Sequence, residues 1–197
     1  YSTVGWFNDP LLNTVLKRSD PELAGVIFHE LAHQRLFLPG DTAFSESFAT
    51  AVEIEGVRRW LIDRGKPKEF TGYMGKLKRR EQFMELVLRY RKQLETLYAS
   101  TQSDDVKRAE KARTFDDLRR DYAALKTSWD GYSGFDAWLT IGDLNNARMG
   151  AVGVYHQHVP AFQALLAKVN GDFGAFYREA EKLARLPTEE RSKRLKP

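Results

Sequence analysis

The chain has 197 residues, of which 42% are hydrophobic, 12% aromatic and 29% charged, with a formal net charge of +4. That length and balance suit one substantial domain with a buried core; they exclude wholesale disorder, and no run reaches the roughly 20 apolar residues of a membrane span. The absence of cysteine excludes disulfides, thiol nucleophiles and cysteine-ligated metal sites. Charge is uneven: residues 58–95 hold 12 Lys and Arg against 5 Asp and Glu, which predicts a basic helical face. The chain opens at Tyr1 with no apolar leader, as expected of an internal fragment or a processed product.

Tyr1 to Phe7 is rich in β-formers and bounded by Asn8-Asp9-Pro10, which predicts a short strand. Ser19-Asp20-Pro21-Glu22 combines an N-cap serine, a first-turn proline and a capping-box glutamate, so a helix starts there. Leu23, Val26, Ile27, Leu31 and Phe37 are its expected apolar positions, with Val26, Ile27 and Leu31 as the buried stripe, and it stops before Pro39-Gly40-Asp41. A second helix is predicted from about Ala43 to Asp63, carrying Phe44, Phe48, Val52 and Trp60. From about Tyr73 to Ala99, helical periodicity runs through Phe83, Leu86, Val87, Tyr90, Leu94, Leu97 and Tyr98. Ser103-Asp104-Asp105 opens another helix with Phe115, Leu118, Tyr122 and Leu125 on one stripe, and the short link implies an antiparallel hairpin. An irregular segment is expected at about Asp130 to Asp143, then helices at Val159 to Val169 and Asp172 to Leu186.

His29-Glu30-Leu31-Ala32-His33 is H-E-x-x-H inside the first predicted helix. Histidines four apart share one helix face, so both imidazoles can reach one Zn2+ ion at about 2.0 to 2.1 Å. Glu30 lies beside that face, where a carboxylate can take a proton from water and pass it to a leaving amine. A third ligand must come from elsewhere. The Pro39-Gly40-Asp41 turn reverses the chain so that the second helix packs antiparallel to the first, and Glu46 in its opening turn is the expected ligand. Glu53 lies two turns along the same face, and its removal is expected to leave the metal in place; Glu55 points elsewhere, and Thr50 is a candidate hydrogen-bond partner of the ligands.

YSTVGWFNDPLLNTVL, VIFHELAHQ and DTAFSESFAT together resemble the conserved blocks of a bacterial family of putative aminopeptidases, distantly similar to the gluzincin metallopeptidases. The resemblance extends through Asn145-Asn146-Ala147, Val159-Pro160-Ala161-Phe162 and Leu186-Pro187. It implies zinc bound by His29, His33 and Glu46, Glu30 as general base, and a peptide substrate. The chain departs from the family at Ser45, where members read Asn, and from gluzincins at Thr50, where an Asp often stands; no Gly-x-Met-Glu-Asn block is present. Family members extend further at the N-terminus, often with a lipoprotein-type signal. The chain is therefore expected to be their C-terminal catalytic portion, with a cell-envelope location favoured by resemblance alone and membrane association only through the missing part.

The expected architecture is a mainly helical α+β fold: one zincin-like catalytic domain over 1–197, with its active-site core at about 1–65, a helical hairpin at about 70–128 and a C-terminal helical part at about 140–190. A short N-terminal strand lies near the cleft. Tyr155 is a candidate donor to the oxyanion of a tetrahedral intermediate, and equally a core or interface tyrosine. His156 and His158, two apart, point to different helix faces, and a solvated or N-cap role before Pro160 is expected of them. The run Lys76 to Arg80 reads as a solvated helix face; no nucleic-acid motif accompanies it. The alternative to a zinc peptidase is a binding or regulatory protein on the same scaffold, but such a protein needs only the metal ligands, and Glu30 is intact.

Overall fold

The computed structural model describes residues 18–140, 144–150 and 157–196. All regular structure among them is helical: α1 (Asp20–Arg35), α2 (Thr42–Asp63), α3 (Glu69–Ala99), α4 (Asp104–Ser128), α5 (Asp136–Thr140), α6 (Asn146–Gly150), α7 (Val159–Lys168), α8 (Phe173–Ala184) and α9 (Thr188–Arg194). The expected mainly helical character is met; the strand expected at Tyr1 to Phe7 lies outside the described residues. None of the described helices is long and apolar enough to cross a membrane. The chain divides into two compact units, Tyr1–Tyr73 with Tyr155–Pro197, and Met74–Val154.

In the first unit, α1 begins as the capping box predicts, with the backbone N–H of Ser19 donating to Glu22 at 3.2 Å and Pro21 in the first turn. It ends at Arg35, earlier than the proline signal suggested, and the chain turns at Gly40, whose φ of 84° strains any residue with a Cβ. Asp41 then caps α2 by accepting from the Phe44 N–H at 2.9 Å. The buried stripe of α1 differs from the predicted one. Ala24, Gly25 and Ala32 are buried, whereas Ile27 and Leu31 are 37% and 51% exposed and Phe37 lies beyond the helix, 52% exposed. The buried positions of α1 are small residues, and its large Phe28 ring is taken up over Gly56 of α2, where an added Cβ would come within 2.8 Å of it.

The opposite face of α2 packs by size. Phe44 and Phe48, fully buried, meet the Phe162 ring edge-on at 5.2 and 5.8 Å, and Phe48 stacks on Phe176 at 5.6 Å. Arg191 of α9, itself buried, pairs with Asp41 at 2.7 Å and donates to the carbonyl of Leu186 at 2.7 Å. One aspartate thus caps α2 and ties the C-terminal helix to its first turn.

In the second unit, α3 and α4 form a hairpin whose direction is read from its contacts. Lys107 reaches the carbonyl of Tyr98, Asp121 accepts from Tyr90, and Trp129 donates to Gln82, so partners march in opposite directions and the helices run antiparallel. The predicted stripes meet in the core: Phe83, Leu86, Val87, Tyr90 and Leu94 with Phe115, Leu118 and Tyr122. Tyr98 departs from its stripe, being 40% exposed and donating to Asn146 at 3.0 Å. The segment expected to be irregular contains α5, and its aromatic residues close the hairpin's end: Phe135 stacks on Phe83 at 4.4 Å and Trp138 meets it edge-on at 5.3 Å.

Candidate metal centre

The packing of α1 against α2 brings polar side chains of both helices together. His29 and His33 are one turn apart on α1, and their Nε2 atoms lie 3.2 Å from each other. Glu46, in the second turn of α2, places Oε2 3.2 Å from His29 Nε2 and Oε1 3.4 Å from His33 Nε2. The three side chains are 18, 17 and 28% exposed, open enough for a small ligand to reach them. Donor atoms of these three residues all lie within 4.8 Å of one another, and together they can hold a metal ion.

The donor chemistry and spacing fit zinc. Three donors bonded at about 2.0 to 2.1 Å to an ion of tetrahedral geometry stand roughly 3.3 to 3.4 Å apart, close to the distances found here. Two imidazole nitrogens and a carboxylate are also the nitrogen and oxygen set that zinc accepts in sites keeping a fourth position open.

The group is strongly coupled electrically. Burial disfavours charge on His29, but hydrogen bonds to Glu46 and Glu53 outweigh it and its pKa is pushed up to about 9. Hydrogen bonds from His29 and then His33 hold the Glu46 carboxyl well below the usual carboxylate range. Ser45, beside Glu46 and fully buried, accepts from the Leu38 N–H at 3.0 Å and donates to the Asp41 carbonyl at 3.1 Å. Ser45 therefore pins the turn that delivers Glu46.

The outer contacts of the two histidines differ. His29 Nδ1 is 2.9 Å from Glu53 Oε2, while Glu53 Oε1 accepts from the Tyr73 hydroxyl at 2.5 Å. His33 Nδ1 is buried with no hydrogen-bond partner among the described residues, and its ring meets Phe37 edge-on at 5.9 Å. Glu53, whose removal is expected to leave the metal in place, has its carboxylate against a donor residue. Residue spacing already placed Glu53 on the Glu46 face, and that was the available signal; Tyr73 and Gly25 carried none. Thr50 is buried, and Glu55 is engaged by Arg58 and Arg59 at 2.6 and 2.7 Å, away from the triad as expected.

Glu30 is half-buried on α1 and is not one of the three converging donors. Tyr155 and His156 lie outside the described residues. His158 occupies the N-cap of α7 as expected, but its Nδ1 meets the Leu195 carbonyl at 3.1 Å and its side chain does not cap the helix. Comparison with curated proteins and with solved structures finds no match to the chain. The model of the family described as "Putative aminopeptidase" matches residues 1–195, spanning both the triad and the hairpin, and the chain belongs to that family.

Proposed function

We propose that the protein is a zinc-dependent peptidase of gluzincin-like design, acting through one catalytic domain with a zincin-like core. Convergence of His29, His33 and Glu46 at tetrahedral ligand spacing is the observation that carries this reading, and family membership supports the peptide substrate. The three residues bind the ion, and zinc so held supplies Lewis acidity to a scissile carbonyl and to water. Glu30 follows His29 in the helix and stays outside the donor set, so its carboxylate is available as general base: it accepts a proton from the attacking water and delivers it to the departing amine. Tyr155 is the proposed donor to the oxyanion.

Glu30→Gln keeps the side-chain shape and all three donors while removing the proton acceptor. Zinc content, measured by elemental analysis, stays near that of the wild type, while cleavage of a peptide library falls by at least about 10²- to 10⁴-fold. Equal cleavage by both forms overturns Glu30 as the base. A zinc-loaded wild type that cleaves no peptide overturns the peptidase reading.

A further inference from the structure

His29 is held from behind, and the group that holds it is itself held. Glu53 is 14% exposed in its side chain and lies seven residues, two helical turns, beyond Glu46, so one face of α2 presents both carboxylates to α1. One oxygen of Glu53 meets His29 Nδ1 at 2.9 Å; the other accepts from the hydroxyl of Tyr73, which is 4% exposed. Space for this arrangement comes from Gly25, one turn before His29. A Cβ there would stand 2.7 Å from the Tyr73 hydroxyl and 3.2 Å from Glu53 Oε1. Burial strengthens both hydrogen bonds and leaves the carboxylate little freedom to rotate.

We propose that Tyr73 and Glu53 are positioning residues of the metal site: Tyr73 fixes the Glu53 carboxylate, which fixes the ring orientation and tautomer of His29 so that Nε2 faces the ion. The inference rests on His29 being a zinc ligand, as proposed above. An imidazole whose Nδ1–H donates to a carboxylate keeps its Nε2 lone pair free for metal and is the more basic ligand for it. His33 has no such support among the described residues, so the effect is confined to His29.

The test is zinc affinity by chelator competition on wild type, Glu53→Gln, Tyr73→Phe, Gly25→Ala and the Gly25→Ala/Tyr73→Phe pair, with the visible spectrum of the cobalt-substituted forms as a second readout. Glu53→Gln is expected to weaken zinc about 10- to 100-fold. Tyr73→Phe keeps the ring and removes one hydrogen bond, for a loss of about threefold to tenfold. Both are expected to alter the cobalt spectrum, which a residue serving only to stabilise the fold leaves unchanged. Gly25→Ala displaces the tyrosine hydroxyl, so its loss is expected to be several-fold alone and much smaller in the Tyr73→Phe background. If wild type binds zinc and Tyr73→Phe matches it in affinity and spectrum, the proposal is overturned, whether or not Glu53→Gln folds. If wild type binds no zinc, the failure belongs to the metal-site reading instead.

Discussion

The α3–α4 hairpin and the α1–α2 pair are both made of two packed helices, yet they are held by different means. In the hairpin, large side chains recur at helical spacing and interlock: Phe83 alone touches the rings of Tyr122, Phe135 and Trp138. In the α1–α2 pair the buried positions include Ala24, Gly25, Ala32 and Gly56, and beside them lies a half-buried network of two histidines, two glutamates and a tyrosine. A region built only for stability can fill its interface with hydrocarbon. A helix pair that turns histidines and glutamates toward one another has less apolar surface to give to its contact.

Separating stability from metal binding tests that contrast. Phe83→Ala removes a buried aromatic from the hairpin and should cost about 3–5 kcal/mol in urea unfolding, while zinc affinity of the folded protein stays at the wild-type value. A matching loss of zinc affinity would break the separation of roles. Arg191→Ala leaves Asp41 without its buried partner and should cost about 3 kcal/mol. Because Asp41 caps the helix that carries Glu46, zinc affinity should fall too, as seen by chelator competition.

The His29 pKa, raised from 6.5 to about 9, means that the cluster's contribution from this residue is complete below about pH 6.5 and is lost as pH climbs through about 9. Glu46, whose pKa is lowered, contributes above its ordinary value and loses that contribution only in acid. Metal-free protein should therefore lose on the order of 2–3 kcal/mol between pH 6 and 9.5, read by urea unfolding, and Glu46→Gln should flatten the profile. Zinc reverses the sign, since it competes with the proton for His29. The smallest effect is Gly56→Ala, whose methyl meets the Phe28 ring: about 1–2 kcal/mol of stability is expected to be lost. No change in the thermal midpoint would show that the α1–α2 contact is looser than described.

The same contrast explains what could be read from the sequence. The hairpin was legible almost residue by residue, because its stripes follow helical period and its burial follows hydrophobicity. The candidate metal triad was legible because ligand geometry imposes a spacing of its own, His29 and His33 by helical turn and Glu46 by the Gly40 turn. The buried face of α1 was misread, since Ile27 and Leu31 outrank Ala24 and Gly25 on any apolar scale, yet it is the small residues that are buried. Glu53 stood on the right face, but its role depends on Tyr73, which enters from a third helix and leaves no local pattern.

Most direct for the central claim is the zinc content of the purified protein beside that of Glu46→Ala and Leu118→Ala, each corrected for folded fraction by circular dichroism. One zinc per wild-type chain, near-complete loss in Glu46→Ala and full retention in Leu118→Ala is the expected result. Zinc retained in Glu46→Ala at the wild-type level would contradict the assignment of the triad.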